Sequence, residues 1–241
     1  MANAALATLE SALRAKKLDR TLTTALPPLD RFDASALAPA GIEALDASLG
    51  GGLPRGQLSE IAGPRSSGRT TLLLHLVAAA ARRGEIAAIV DTGDHLDVAS
   101  LAAAGADLDR VLWVRGDGGP AERAVDRALK ACTLVLQAGG FGLVALDLAD
   151  VPRVALARLP FTTWLRLQRI VEGRDTACVL VVPEPLARSA GGVTLALDAT
   201  AAWAGDSERS RLLDGLDVGA RVLSPRRRME GTARVRCGTR G

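Results

Sequence analysis

The chain is poor in the residues that build disulfide frameworks and metal clusters. It contains three cysteines, Cys132, Cys178 and Cys237, which are widely spaced and form no C-x-x-C pair. It contains two histidines, His75 and His95. So few ligands predict neither a disulfide framework nor a zinc site, and the cysteines are interpreted as small buried hydrophobic residues.

Long apolar runs and a signal sequence are also lacking. The longest apolar stretch, LLLHLVAAAA, is much shorter than the roughly 20 residues that a membrane-spanning helix needs. The N-terminal segment MANAALATLESALRAKKLDR carries Glu10 among its apolar residues and lacks the basic-then-apolar order of a signal peptide. We therefore expect no membrane partner and a cytoplasmic location.

The remaining composition indicates one folded core with a basic C-terminal segment. Hydrophobic residues make up 48% of the 241 residues, which excludes a wholly disordered chain and fits one domain with appendages. The net charge is only +3, but the segment ARVLSPRRRMEGTARVRCGTRG holds seven arginines against Glu230. These arginines are candidates for binding phosphates or an acidic protein surface, and the alternative is a solvated terminal strand and tail. The candidate residues are Arg226, Arg227, Arg228, Arg234 and Arg236.

The hydrophobic periodicity predicts an α/β fold preceded by a separate helix. Leu6, Leu9 and Leu13 recur at i, i+3 and i+7, which predicts a small docking helix from Ala4 to Lys17. After Gly41, near-continuous apolar strands alternate with helices, which is typical of a mostly parallel sheet flanked by helices, here with an antiparallel C-terminal extension. The predicted organisation is a docking helix in 1–20, a proline-containing linker in 21–40, a core in 41–228 and a basic tail in 229–241.

A phosphate-binding loop is predicted at GPRSSGRTT, residues 63–71, between an apolar strand and a helix. The motif G-x-x-x-x-G-K-[ST] has lysine where this chain has Arg69. Backbone N–H groups and the helix N-terminus can surround a phosphate there, while Thr70 would bind Mg²⁺ and Thr71 would reach the α-phosphate. The alternative is a glycine-rich turn that merely connects the two elements. The candidate nucleotide-binding residues are Gly63, Ser66, Ser67, Gly68, Arg69, Thr70 and Thr71.

The segment GIEALDASLGGGLPRGQLSEIAGPRSSGRTTLLLHLVAAA resembles the core of the RecA recombinases. Weaker similarity continues through AAIVDTGDHLDV and FGLVALDLADV, so that the resemblance covers roughly residues 41 to 185. In its short length the chain is similar to ImuA, a RecA-like protein associated with mutagenic translesion synthesis. The resemblance implies a RecA-type core with a weak ATP and Mg²⁺ site, and a monomer or small oligomer that binds RecA or translesion polymerase subunits.

The chain departs from RecA at positions that carry its chemistry. Arg69 keeps the charge of the lysine but has a wider planar fork. Gly93 stands where the RecA segment DAEH places its catalytic glutamate, and Asp94 is a candidate substitute one residue further on. Asp147 ends an apolar strand as a Mg²⁺-binding acid should, although a helix cap or loop acid is the alternative. Glu184 follows the strand ACVLVV, where RecA has an asparagine–glutamine pair that senses the γ-phosphate. Hydrolysis is therefore expected to be absent or very weak, and no catalytic residue is assigned.

The expected DNA contacts are also reduced. The connections that correspond to the DNA-binding loops of RecA, ADVPRVALARLP and PEPLARSAGG, are short and contain no aromatic side chain on which bases could stack. DNA binding is expected to be weak and non-specific at most. Three functions are considered: an accessory protein of DNA damage tolerance, a DNA-stimulated RecA-like ATPase or recombinase paralogue, and a nucleotide-binding regulator of the circadian-clock type. The loss of both lysine at position 69 and glutamate at position 93 favours the first.

Overall fold

The structure is a computed structural model and places one compact unit that begins at Ala34. The ranges that it describes are 34–187, 191–205, 210–223 and 232–238. The predicted docking helix with Leu6, Leu9 and Leu13, and the arginines 226–228 of the C-terminal segment, lie outside these ranges. The backbone of Arg236 is described as part of a strand.

Residues 34–40, assigned to the linker from the sequence, belong instead to the core. The elements in and after this segment are a 3₁₀ turn (Ala34–Ala36), β1 (Leu37–Ala38), α1 (Glu43–Ser48) and β2 (Leu53–Pro54). Strands β1 and β2 pair antiparallel, and the side chains of Ala38 and Ala40 are buried. Asp46 accepts a hydrogen bond from the Ala40 N–H at 2.6 Å, which holds the segment against α1. The folded core therefore begins earlier than Gly41.

An eight-stranded sheet forms the centre of this unit. Its strands are β3 (Leu58–Ala62), β4 (Ile86–Asp91), β5 (Val111–Arg115), β6 (Phe141–Asp147), β7 (Ala177–Val182), β8 (Thr194–Ala204), β9 (Leu212–Leu223) and β10 (Thr232–Gly238). Their order is β10-β9-β8-β3-β7-β6-β4-β5, parallel from β8 to β5 and antiparallel among β8, β9 and β10. The predicted α/β fold with an antiparallel C-terminal part is confirmed. Most of the predicted basic tail is strand β10 at the edge of the sheet.

Helices cover both faces of the sheet. They are α2 (Arg69–Arg82), α3 (Val98–Ala103), α4 (Ala121–Ala138), α5 (Arg153–Ala157) and α6 (Thr162–Val171). Leucines and alanines of α2 pack with Leu101 of α3 in one core cluster, whereas α4, α5 and α6 contribute to the second cluster. Within the described ranges, no helix combines the length and apolar character needed to cross a bilayer.

This helix arrangement leaves a crevice at the carboxyl ends of the neighbouring strands β4 and β6. The chain leaves β4 toward α3 on one face of the sheet, and it leaves β6 toward α5 and α6 on the other face. Ligands of open α/β sheets bind where two adjacent connections diverge in this way. The loop between β3 and α2 lies at the same edge, because β3 is parallel to β7, and β7 to β6.

Candidate phosphate site and the neighbouring crevice

Two glycines shape the loop between β3 and α2. Gly68 has a φ of +87° and immediately precedes α2, and an added Cβ would lie 2.9 Å from Val218 Cγ2. A Cβ on Gly63 would lie 2.5 Å from Ser67 Oγ and 2.6 Å from the carbonyl oxygen of Leu197. Both positions therefore exclude a side chain. Strands β8 and β9 pack directly behind the loop and support its shape.

The loop has features that fit a phosphate group. The Ser67 hydroxyl is buried and has no hydrogen-bond partner. Gly68 offers no side chain to cap α2, so the first N–H groups of this 14-residue helix point toward the loop. Ser66 and Thr70 are exposed beside it, and Thr71 is half-buried. The anion site stays a prediction, and these features of the loop fit it.

Arg69, the residue at the lysine position of the motif, points toward the segment after β6. Its side chain is buried, and its Nη1 donates a hydrogen bond to the carbonyl oxygen of Ala149 at 3.1 Å. Burial lowers the pKa of the guanidinium below its usual value, while the carboxylates of Asp147 and Asp150 act in the opposite direction. The arginine is therefore held by the protein itself.

Asp147, the predicted Mg²⁺ ligand, ends β6 and has a perturbed acidity. Burial is the main cause that raises its pKa to about 6, and the negative charges of Asp91 and Asp150 act in the same direction. The N–H of Ala149, which donates to Asp147 Oδ1 at 2.9 Å, and the charge of Arg69 oppose this rise. The hydrogen bond from Ala149 fits the loop-acid alternative that the sequence left open.

Few side chains at this edge of the sheet are placed to bind a metal ion. Thr70 stands in the first turn of α2, which follows β3, while Asp147 stands two strands away at the end of β6. In the part of the chain that the structure describes, no group of three or more histidine, cysteine, aspartate or glutamate side chains is arranged to hold a metal ion. A Mg²⁺ ion would therefore depend on oxygens of a bound nucleotide, as is usual for this ion.

The turn after β4 differs most from expectation. A Cβ on Gly93 would lie 2.7 Å from both Cε1 and Nδ1 of His95, so the imidazole fills the space next to this glycine. His95 Nδ1 is in turn 3.3 Å from Asp150 Oδ2. Asp94 does not take the position of the missing glutamate, because Arg115 donates to both of its carboxylate oxygens at 2.8 Å. That hydrogen bonding lowers the pKa of Asp94.

The backbone of this turn is held by Asp91, which the sequence did not single out as a binding residue. Asp91 is buried and accepts hydrogen bonds from the N–H groups of Gly93 at 3.2 Å and Leu96 at 2.8 Å. The indole N–H of Trp113 also donates to it at 3.2 Å. The guanidinium of Arg115 lies 4.4 Å from the centre of the Trp113 ring. The carboxylate thus fixes the turn on both sides of His95.

A cavity of about 230 Å³ occupies the crevice between β4 and β6. The first turn of α4 borders it, and Thr92 contributes a buried hydroxyl without a hydrogen-bond partner. The residues that line it are Asp91, Thr92, Gly93, His95, Gly118, Gly119, Ala121, Ala124, Asp147, Asp150, Val151 and Pro152. Sequence reasoning missed Thr92 and Asp150, and it considered His95 only as a histidine too isolated for metal binding.

Two further residues singled out from the sequence, Glu184 and Arg234, do not line this crevice. Glu184, which follows β7, forms an ion pair with Arg153 across 3.3 Å. Arg234 lies on β10 with its side chain exposed, and β10 is the edge strand of the antiparallel part. The structure therefore brings together the phosphate loop, Asp147 and the turn at Gly93, whereas Arg234, the C-terminal arginine whose side chain is described, lies at the edge strand.

Comparisons with known proteins agree with this architecture. The family model of the RecA N-terminal domain matches residues 24–157. Protein RecA of Clavibacter michiganensis subsp. michiganensis is 42% identical over 124 residues, which cover 50% of this chain and 33% of that protein. Protein RecA of Heliobacterium modesticaldum is 33% identical over 158 residues, which cover 59% of this chain and 44% of that protein. The chain thus aligns with less than half the length of these relatives. Since the family model covers more than half of the chain, this protein belongs to the RecA family.

Proposed function

We propose that this chain is a RecA-like accessory protein of DNA damage tolerance, of the ImuA type, which binds RecA and carries a degenerate ATP site. The observation that carries this proposal is the contact of Arg69 with the carbonyl oxygen of Ala149 at 3.1 Å. The guanidinium of Arg69, at the lysine position of the motif, is hydrogen-bonded within the protein. Gly93 has no carboxylate that could activate water. Both changes affect the same phosphoryl-transfer transition state.

Nucleotide binding is the part of the ATP site that the geometry supports. The unpaired Ser67 hydroxyl and the uncapped start of α2 provide donors for phosphate oxygens. Thr70 and Asp147 are the residues that would hold a Mg²⁺ ion, which supplies charge neutralisation between phosphate oxygens when bound. The guanidinium of Arg69 would have to turn away from Ala149 to contact a phosphate in its bidentate manner. The proposed role of ATP is thus weak binding rather than rapid turnover.

An exposed apolar group at the end of the β8–β9 hairpin supports protein binding. Trp203 pairs with Leu213 across the two strands, and Leu212 pairs with Ala204 beside them. The exposed fractions of Trp203, Leu212 and Leu213 are 54%, 73% and 45%. Exposed tryptophan and leucine side chains grouped in this way are characteristic of protein interfaces. We assign this hairpin end, together with the predicted helix bearing Leu6, Leu9 and Leu13, to RecA binding.

Binding to purified RecA filaments tests this function. Biolayer interferometry with RecA assembled on single-stranded DNA would compare the wild type with a Leu6→Asp, Leu9→Asp, Leu13→Asp variant and with Trp203→Ser. Leu134→Ser, which changes an exposed leucine on α4, is the matched control. We expect both sets of changes to weaken binding at least tenfold and the control to bind normally. Binding to a translesion polymerase subunit instead of RecA would change the partner but keep the accessory role.

The second candidate is a DNA-stimulated ATPase or recombinase paralogue. The observation that favours it is the preserved shape of the phosphate loop, in which Gly63 and Gly68 exclude side chains. This function requires that the protein alone form long ATP-dependent filaments on DNA. Electron microscopy that shows such filaments, together with a failure to bind RecA, would replace the accessory role with this one.

A further inference from the structure

We propose that His95 and Asp150 form a proton-accepting pair that takes over the water-activating position left by Gly93, with His95 as the catalytic residue. This inference rests on the part of the proposed function in which a nucleotide binds at the phosphate loop. It adds a slow hydrolysis of that nucleotide by a group that the motif comparison does not contain.

The glycine at position 93 and the histidine at position 95 are sterically linked. A Cβ on Gly93 would lie 2.7 Å from two atoms of the imidazole, a distance that real Cβ atoms essentially never show. The ring therefore occupies the volume that a side chain at position 93 would enter. Asp91 fixes the turn through the N–H groups of Gly93 and Leu96, one on either side of His95. The imidazole therefore lies in the space next to the missing glutamate.

Asp150 orients the ring for proton transfer. Its Oδ2 lies 3.3 Å from His95 Nδ1. A carboxylate at Nδ1 holds the ring proton there and leaves Nε2 as the basic nitrogen. The other carboxylate oxygen of Asp150 lies 3.7 Å from Nη2 of Arg65, a residue of the phosphate loop. Asp150 therefore links the turn that carries His95 to the loop at which the phosphates would bind, and it acts as a positioning residue.

Two of the nearby carboxylates, those of Asp94 and Asp91, are already hydrogen-bonded within the protein. Both oxygens of Asp94 accept hydrogen bonds from Arg115, and Asp91 accepts three hydrogen bonds within the turn. Among the side chains that line the cavity of about 230 Å³, His95 supplies the one imidazole. The cavity adjoins the ring and provides room for a water molecule.

The chemical step is a hydrolysis in which all atoms come from water and the nucleotide. The water proton passes to Nε2 of His95 while the water oxygen forms a bond to the γ-phosphorus. The bond between that phosphorus and the bridging oxygen breaks, and its electron pair leaves with the nucleoside diphosphate. Inorganic phosphate is the second product, and His95 returns its proton to solvent. Arg69, held by Ala149, limits the rate of this step.

The exposure of the pair makes it testable without loss of the fold. The side chains of His95 and Asp150 are 64% and 40% exposed, and exposed ion pairs contribute little to stability. Single-turnover hydrolysis of γ-labelled ATP would compare the wild type with His95→Ala and Asp150→Asn. Asp94→Asn tests the competing acid, and His75→Gln changes the other histidine of the chain. A fluorescent ATP analogue measures nucleotide binding by each variant separately.

We expect His95→Ala to reduce the single-turnover rate roughly a hundredfold without loss of nucleotide binding, and free imidazole in the buffer to restore part of the rate. Asp94→Asn and His75→Gln should retain the wild-type rate. Equal rates for the wild type and His95→Ala, or no hydrolysis by a wild type that binds the nucleotide, would overturn the inference and leave the accessory function standing. A wild type that binds no nucleotide would overturn both the inference and the proposed ATP site.

A readout independent of turnover is the position of the ring proton. The chain has two histidines, so ¹⁵N NMR spectra of the wild type and His75→Gln assign the His95 ring signals. We expect the neutral His95 ring to carry its proton on Nδ1, and Asp150→Asn to shift the population toward the Nε2–H form. A wild-type ring with its proton on Nε2, unchanged by Asp150→Asn, would show that Asp150 does not orient the base.

Discussion

Ala149 connects the arginine of the phosphate loop to the acid at the end of β6. Its carbonyl oxygen accepts a hydrogen bond from Arg69 Nη1 at 3.1 Å, and its N–H donates to Asp147 Oδ1 at 2.9 Å. A single residue therefore couples the cation and the carboxylate that would both face a Mg²⁺–nucleotide complex. A lysine at this position would have a compact ammonium without the planar fork of arginine.

This coupling predicts weak hydrolysis. We expect the steady-state turnover of the wild type to be at least roughly a hundredfold below that of RecA, because neither a free cation nor a carboxylate at position 93 serves the transition state. Arg69→Lys should not restore the RecA rate, since Gly93 is unchanged. Phosphate release with and without single-stranded DNA measures this. A DNA-stimulated turnover that reaches the RecA level and disappears in Arg69→Ala would contradict the prediction.

The raised pKa of Asp147 predicts that stability falls as the pH rises. The folded state holds the Asp147 proton up to a pKa of about 6, against a usual value of 3.8 in the unfolded chain. The folded state therefore binds more protons between these values, and the contribution that is present below pH 3.8 is lost as the pH passes 6. Replacement by asparagine removes this penalty, and we expect Asp147→Asn to raise the free energy of unfolding near neutral pH by about 2 kcal/mol.

Urea unfolding of the wild type and Asp147→Asn at several pH values measures the difference. Asp94→Asn is a control of opposite sign, because hydrogen bonding to Arg115 lowers the pKa of Asp94 and its ionised form stabilises the folded state. That variant should be less stable than the wild type near neutral pH, and the difference should shrink as the pH falls through the lowered pKa. If the stability of Asp147→Asn shows the same pH dependence as that of the wild type, burial of this carboxylate is not the source of the pH dependence.

The buried carboxylate of Glu60 predicts a second stability effect, away from the phosphate site. Glu60 Oε1 accepts hydrogen bonds from the N–H groups of Leu186 at 2.8 Å and Ala187 at 2.7 Å, and Oε2 accepts one from Thr194 Oγ1 at 3.1 Å. Glu60→Ala leaves these donors without an acceptor, so we expect it to lower the free energy of unfolding by about 3 kcal/mol. Glu60→Gln keeps one acceptor oxygen and should lose about half as much. Equal stability of the wild type and Glu60→Ala in urea would refute this role.

The sequence predicted the elements whose signal is local. Strands such as β7, ACVLVV, are buried at every position, and the amphipathic α4 shows a clear helical period, so their types and approximate ends could be read directly. The phosphate loop was recognisable because its glycines occur at fixed spacing. Strands β1 and β2 have two residues each and carry no period, so the pairing that brings residues 34–40 into the core was missed.

Contacts between residues that are far apart in the sequence explain the other differences between the prediction and the structure. Nothing near Asp94 in the sequence indicates that Arg115, at the end of β5, would bind its carboxylate. The approach of His95 to Asp150 depends on the adjacency of β4 and β6, which are separated along the chain by β5 and α4. Cys132 and Cys178 illustrate the same point. Both are buried, as predicted for small hydrophobic residues, but the structure also brings them together, and the contact with Cys132 raises the pKa of Cys178.

The C-terminal arginines predict a salt-dependent, non-specific affinity for DNA. Removal of the whole C-terminal segment is a poor test, because strand β10 pairs with β9 along its entire length and its loss would expose the sheet edge. Replacement of Arg226, Arg227 and Arg228 by serine keeps β10 and removes three positive charges. We expect this variant to bind single-stranded DNA more weakly, with a salt slope about 2 units smaller, because fewer counterions are released.

Fluorescence anisotropy measures both the DNA affinity and the salt slope. It uses labelled oligonucleotides of two unrelated sequences over a range of salt concentrations. Arg234→Ser changes an exposed side chain on β10 and tests whether the strand contributes to the same surface. Lys130→Ser is the matched control, because Lys130 is also exposed but pairs with Asp126 at 2.7 Å on α4. If the triple variant binds both oligonucleotides with the wild-type affinity and slope, the arginines form a solvated terminal segment. Any DNA binding would then have to come from the connections after β6 and β7.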